Sequence, residues 1–236
     1  MDDLLSASFW LAVGQIIAID IMLGGDNAVV IAMACRQLPA NQRTQGIVWG
    51  TLGAIALRVV LIAFALSLLQ IPYLRLLGGV LLLWIGAKLL APVDDDSAEV
   101  PGNERLLAAI KTVIMADLVM SLDNVVAIAG AASNAGSQHQ LGLVVFGLLV
   151  SIPIIVGGSQ LVLRLMDRYP WVLTLGAMLL GWIAGTLINS DSAVNRVWPQ
   201  GSVFAGPLGV LLVLAWGRWR HAGRGLAQSN EKDVAS

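Results

Sequence analysis

Asp20, Asp26, Asp117 and Asp123 stand within long apolar stretches, and an asparagine, Asn27 or Asn124, follows the second acid of each pair. Carboxylate and amide oxygens are hard donors that suit Mg²⁺, Ca²⁺ or Mn²⁺, whereas Zn²⁺ and Cu⁺ gain most from imidazole or thiolate. No softer donor is close: Cys35 is the single cysteine, which excludes an internal disulfide, and His139 and His221 are too far apart for a His/Cys zinc site. Each ionised aspartate at the centre of a membrane helix costs about 2.5 to 3.5 kcal/mol, so four uncompensated ones would cost on the order of 10 kcal/mol or more. Arg58 is the only basic residue deep in an apolar stretch, and one arginine cannot neutralise four carboxylates. Protonation could serve some of them. A bound cation answers the whole charge and explains the clustering.

The residues between the acids suggest how the donors converge. In an unbroken helix Asp20 and Asp26 lie about 120° apart, which would split the carboxylates. Leu23-Gly24-Gly25 lies between them, and adjacent glycines at mid-membrane predict an unwound segment whose carbonyls join the carboxylates. Asp26 or Asn27 would then cap the second half-helix. The second copy reads Val119-Met120-Ser121-Leu122, without glycine, so its break has less basis and Ser121 becomes an additional oxygen donor. Met22 and Met120 lie inside the two motifs and are candidates for a thioether ligand that would favour Mn²⁺ over Mg²⁺, although such methionines more often only pack.

The elements that must position these residues follow from hydropathy. The 236 residues are 57% hydrophobic and 12% charged, with a mean hydropathy of +0.80, which marks a membrane protein. A net charge of −1 without a dense basic block excludes a nucleic-acid footprint. A hydrocarbon core about 30 Å thick takes roughly 20 apolar residues of helix. Seven stretches qualify: Ser6 to Ala34, Gly46 to Leu69, Leu74 to Leu90, Leu106 to Ala132, Leu141 to Leu165, Trp171 to Ile188 and Val203 to Trp219. The last is weakest, because Gly206, Pro207 and Gly209 interrupt it, and Pro153 should kink the fifth. At the N-terminus, Met1-Asp2-Asp3-Leu4 lacks a basic n-region, and no cleaved targeting segment is expected.

Shifting the sequence by 97 residues lays Asp20, Asp26, Asn27, Val29, Ile31 and Ala32 on Asp117, Asp123, Asn124, Val126, Ile128 and Ala129. The match runs without a gap to Gly50 over Gly147 and Leu52 over Leu149, and with one extra residue Trp84 and Ile85 fall on Trp182 and Ile183. Each repeat therefore holds three spans, an odd number, so the copies must be inverted, as in secondary transporters whose site lies near the midplane. The expected architecture is all-α and polytopic: 1–91 the first three-helix repeat, 92–105 a charged cytoplasmic loop, 106–190 the second repeat, 191–219 a seventh transmembrane helix and 220–236 a cytoplasmic tail. Arg36, Arg43, Lys88, Arg105, Lys111, Arg164, Arg168, Arg218, Arg220, Arg224 and Lys232 fall on one side of the spans, and only Arg75 and Arg196 on the other. Basic residues are retained in the cytoplasm, so the N-terminus is expected outside and the tail inside a cell's inner (plasma) membrane. Trp10, Trp198, Trp216 and Trp219, near span ends, suit anchoring among the headgroups.

Plainer accounts compete with these. The four aspartates could hydrogen-bond across helices or cap kinks, but a duplicated acidic pair with asparagine attached fits a functional site better. Arg58 is equally suited to holding an aspartate in place and to acting in transport. Asp94-Asp95-Asp96 with Glu99 reads as a solvated linker, flanked by Pro92, Pro101 and Gly102. Gly46, Gly50, Gly53, Gly78, Gly79 and Gly86 suit close helix packing.

The motifs Asp20-Ile21-Met22-Leu23-Gly24-Gly25-Asp26-Asn27 and Asp117-Leu118-Val119-Met120-Ser121-Leu122-Asp123-Asn124 resemble those of the TerC integral membrane protein family, over a region from about Phe9 to Ile188. The resemblance implies manganese export and metal homeostasis, with a fold similar in outline to the lysine-exporter superfamily. It places the motif acids on Asp20, Asp26, Asp117 and Asp123, beside Asn27 and Asn124. Tellurite, for which the family was named, is an anion that a pocket of carboxylates should repel. The expected function is a divalent metal exporter working by alternating access, with Mn²⁺ as cargo, no permanently bound cofactor and the lipid bilayer as surroundings. The rivals are an intramembrane aspartyl enzyme, in which two carboxyls share a proton, and an exporter of small organic cations or amino acids. No Gly-x-Gly-Asp sequence surrounds either acidic motif, which counts against the enzyme.

Overall fold

A bilayer offers backbone polar groups no partner, so a chain this apolar satisfies its own N–H and C=O groups within helices. The computed structural model describes residues 7–64, 71–91, 101–133, 140–198 and 202–234; the side chains from 122 to 144, and so those of Asp123, Asn124 and His139, lie outside the described residues, as do the Asp94–Asp96 run and the side chain of His221. Among the described residues every regular element is a helix: α1 (Ala7–Arg36), α2 (Ala40–Ala63), α3 (Leu74–Leu90), α4 (Gly102–Ser133), α5 (Gln140–Arg168), α6 (Trp171–Ser190), α7 (Ser192–Val197) and α8 (Ser202–Val234). Three segments are long and apolar enough to cross a membrane, Ala40–Ile62, Val145–Arg168 and Trp171–Ser190, and Val203–Trp219 is a shorter apolar helix.

Helix limits differ from the apolar stretches where polar residues can continue a helix into the headgroup region. Thus α2 starts at Ala40 instead of Gly46: Pro39 has φ −53°, already suited to a helix start, and the Gln42 N–H donates to the Pro39 carbonyl at 2.9 Å. Helix α8 runs through Gly206, Pro207 and Gly209, which do not interrupt it. The two glycines form a close-packing face instead, with Pro207 exposed: a Cβ on Gly206 would stand 2.7 Å from Trp182 Cδ2, and one on Gly209 would strike the Gly181 carbonyl. Helix α5 likewise continues through Pro153, which is exposed.

The largest correction concerns α1, which is continuous through Gly24-Gly25, where an unwound segment was expected. Breaking a helix at mid-membrane orphans up to four N–H and four C=O groups, and without a partner for them the intact helix is the lower state. Asp26 therefore caps no half-helix; its Oδ1 accepts the adjacent Asn27 N–H at 2.9 Å.

The chain forms two compact units, each of which takes helices from both sequence halves. In the first, α1 packs most extensively on α5 and α2 on α4, with α1 also against α4 and α2 against α5. The α2–α4 contact is close because a Cβ on Gly50 would stand 3.1 Å from Val113 Cγ1, and one on Gly53 would stand 2.6 Å from Ile114 Cδ1. At one end of this unit Arg43 Nη1 donates to Asp167 Oδ2 at 2.6 Å, and its other nitrogens donate to the Leu38 and Arg36 carbonyls. Large side chains on α5 such as Leu149, Ile154 and Leu161 face outward, as expected for lipid-facing positions. In the second unit α6 packs along α8, and Asp191 N-caps α7, accepting from Ala193 N at 3.0 Å and from Leu76 N at 3.2 Å.

Candidate cation-binding site

The first unit buries a charged triad. Arg58, on α2, is 2% exposed, and its guanidinium reaches two aspartates on different helices. Nη1 donates to Asp20 Oδ1 on α1 and Nη2 to Asp117 Oδ1 on α4, while Nε donates to Ser121 Oγ at 3.1 Å. Ser121 Oγ in turn donates to Asp117 Oδ2 at 3.0 Å, one helical turn away on α4. A planar fork with fixed donor directions suits this double engagement in a way that an ammonium would not. Three of the four carboxylate oxygens thus have partners, and Asp20 Oδ2 has none among the described residues; Ser151 of α5 lies beside it.

Local sequence explains why the groups meet. Asp117 and Ser121 are four residues apart and so share a face of α4. Gly50 and Gly53 bring α2 against α4, which carries Arg58, one to two turns further along α2, up to the Asp117–Ser121 face. With Asp20 0% and Asp117 5% exposed, neither carboxylate is open to bulk water, and the guanidinium supplies the compensation. One guanidinium thus serves two carboxylates.

A second feature adjoins it. Asn27 is 4% exposed, and neither its Oδ1 nor its Nδ2 has a hydrogen-bond partner among the described residues. Asn27 lines a cavity of about 10 Å³ together with Val30, Ile31, Val113, Asp117 and Met120. That is room for about one water-sized particle. A buried amide is normally satisfied, so the unpartnered Asn27 side chain stands out in a cavity whose other walls are mostly apolar.

The remaining expected residues are placed unequally. Asp26 is half-buried on α1, apart from Asp20 as the intact helix dictates. Gly24 is buried and Gly25 exposed, and both keep helical backbone, so neither lends freed carbonyls. Met22 is 83% exposed and belongs to no site, because it projects from α1 on the side away from Asp20. Met120 is buried at the cavity. Asp123 and Asn124 lie outside the described side chains, and among the described residues no cluster of three or more His, Cys, Asp or Glu side chains forms. Ser151 carried no signal in the sequence: a single hydroxyl in an apolar helix, donating to the Gly147 carbonyl at 3.1 Å, looks like any self-satisfied serine.

Comparison with known proteins agrees with the membrane character of the chain. The uncharacterized membrane protein YjbE of Bacillus subtilis is 43% identical over 185 residues, which span 78% of this chain and 82% of the relative. The UPF0053 inner membrane protein YgdQ of Escherichia coli is 23% identical over 218 residues, spanning 83% of this chain and 86% of the relative. The uncharacterized membrane protein YceF of Bacillus subtilis is 26% identical over 204 residues, spanning 83% and 76%. No solved structure matches the chain. The model of the integral membrane protein TerC family matches residues 5–224, nearly the whole sequence, and the chain belongs to that family.

Proposed function

We propose that the protein is a divalent metal cation exporter, with Mn²⁺ as its principal cargo, working by alternating access around the aspartates of α1 and α4. The observation that carries this reading is that Asp20 and Asp117, equivalent positions of the two sequence repeats, converge on one buried cation, Arg58. Asp26, Asn27, Asp123 and Asn124 complete the donor set, with Ser121 as a neutral oxygen and Met120 as the thioether beside Asn27 and Asp117. Every other donor is hard oxygen, which favours Mn²⁺, Mg²⁺ or Ca²⁺ over Zn²⁺ or Cu⁺.

Seven membrane spans in two inverted three-helix repeats, plus a C-terminal helix, frame this site in the reading. The packing supports it. A two-fold relation that exchanges α1 with α4 and α2 with α5 turns the α1–α5 contact into the α4–α2 contact, and these are the two most extensive contacts of the first unit. The relation extends to single residues. Arg58 donates to Ser121; its repeat equivalent Ile155 approaches the position of a Gly24 Cβ to 4.0 Å, and Gly24 is the repeat equivalent of Ser121. The C-terminal tail lies in the cytoplasm in this arrangement, with Arg43, Arg164 and Arg168 on the same face.

The enzyme alternative is disfavoured by the same geometry, since Arg58 holds one oxygen of Asp20 and one of Asp117, an arrangement unlike a carboxyl dyad. The test is uptake into inverted vesicles containing the purified protein, scanned across Mn²⁺, Mg²⁺, Ca²⁺, Zn²⁺ and protons. Uptake of Mn²⁺ well above Zn²⁺ is expected. Absence of metal-dependent uptake, or transport of an amino acid that metal does not compete with, would remove the reading.

A further inference from the structure

We propose that Arg58 is a resident counter-cation that trades places with the cargo: the guanidinium holds Asp20 and Asp117 while the site is free of metal, and leaves them when a divalent cation binds. This rests on the reading of the site as a divalent-cation site and adds what competes with the metal there.

The hydrogen bonds set the terms of the exchange. Arg58 occupies one oxygen of each carboxylate, and Ser121 occupies the second oxygen of Asp117. Of the four oxygens only Asp20 Oδ2 is unpartnered among the described residues, so a metal bridging both carboxylates competes with Arg58 or Ser121 for its oxygen on Asp117. Guanidinium and metal exclude each other by charge. A divalent ion beside an unmoved Arg58 would set three positive charges against two carboxylates that are 0% and 5% exposed, with no solvent to dissipate the excess. Departure without replacement is equally unfavourable, because two carboxylates would be left close together and unpaired. Each carboxylate thus keeps a cationic partner whether the site holds the guanidinium or the metal.

Two further observations bear on the exchange. The cavity lined by Asn27 and Asp117 places the unpartnered amide beside the residue that Arg58 holds, and its lining comes from α1 and α4 and not from α2. Asp26, half-buried on α1, is the next carboxylate along that helix from Asp20 and the acceptor the exchange assigns to the displaced guanidinium. The repeat equivalent of Arg58 is Ile155, so the duplicated frame carries one internal cation for its two related aspartates, which is the number an exchange needs.

Mn²⁺ binding to the purified full-length protein in detergent tests the exchange, measured for the wild type, Arg58→Ala and Arg58→Lys with methylguanidinium as a competitor. Removing an internal competitor raises apparent affinity by the fraction of time the site was blocked, so Arg58→Ala is expected to bind Mn²⁺ on the order of tenfold more tightly, or better. Arg58→Lys, whose ammonium cannot bridge both carboxylates in the same way, is expected to fall between the two. Methylguanidinium should compete with Mn²⁺ in Arg58→Ala and have no effect in the wild type. Unchanged or weaker Mn²⁺ affinity in the folded variants, or a pocket in Arg58→Ala indifferent to methylguanidinium, overturns the exchange while wild-type binding leaves the metal site standing. If Arg58→Ala is not recovered folded, Arg58→Lys decides alone, and an affinity no higher than that of the wild type counts against the proposal. A wild type that binds no divalent cation removes the site reading itself, and the exchange with it.

Discussion

Replacing Arg58 with methionine keeps the length and apolar stem of the side chain and removes the charge that faces Asp20 and Asp117, which are 0% and 5% exposed. Breaking a buried ion pair by deleting one partner costs about 3 to 5 kcal/mol, because the other charge stays buried without compensation. Here two carboxylates are left, so the upper part of that range applies unless they bind a proton or a metal. For a chain of this size that is a fall in Tm on the order of 10 °C in metal-free detergent solution. The triple variant Asp20→Leu, Arg58→Met, Asp117→Leu removes the charges together, and a buried triad replaced by well-packed apolar residues is commonly neutral or stabilising by about 1 to 4 kcal/mol. Thermal unfolding of the wild type, the single and the triple variant, each with chelator and with Mn²⁺, separates charge from packing. The expected pattern is a large loss in the single variant, recovery in the triple, and rescue of the single but not of the triple by Mn²⁺. A triple variant as unstable as the single would show that Arg58 stabilises through its packing, and the electrostatic reasoning would fail.

Asp26→Asn and Asp123→Asn should each abolish metal transport while leaving insertion and folding intact, since an amide keeps the size and removes an anionic donor; normal uptake by both at limiting metal would remove these acids from the site. Met120→Leu should narrow the preference for Mn²⁺ over Mg²⁺ or Ca²⁺ in competition uptake, whereas Met22→Leu should leave it unchanged because Met22 is 83% exposed; an effect of Met22 alone would contradict its placement. Gly185→Ala should destabilise by several kcal/mol, on the order of an overpacked core or worse, because its Cβ would meet the Ala205 carbonyl, a backbone atom that cannot rotate away; an unchanged Tm would refute the close α6–α8 approach. A reporter fused after Arg224 should report from the cytoplasm; an extracytoplasmic signal would overturn the orientation drawn from the lysines and arginines.

Hydropathy made the helices legible because the requirement is local: an apolar stretch of sufficient length has no alternative to helix in lipid, whatever it packs against. The stretch Leu74 to Leu90 coincides with α3, and the others differ from their helices mainly at polar ends. The acidic motifs were legible for a related reason, since an ionisable residue in such a stretch costs energy that something must offset. The conformation of Leu23-Gly24-Gly25 was not legible. Adjacent glycines permit an unwound segment, but permission is not a driving force, and α1 stays helical.

The sequence by itself determined that Asp20 and Asp26 recur 97 residues on as Asp117 and Asp123, that Arg58 is the one basic residue deep in an apolar stretch, and that the motif polar side chains carry oxygen. Only the tertiary structure decided which acids Arg58 compensates, that Met120 lines the cavity while Met22 faces outward, and that Asn27 is buried without a described partner beside Asp117. The physical reason is that charge and periodicity are properties of a segment, whereas pairing depends on the rotation and separation of neighbouring helices. Those are set by small residues such as Gly50 and Gly53, whose contacts with Val113 and Ile114 bring Arg58 to Asp117 and Ser121.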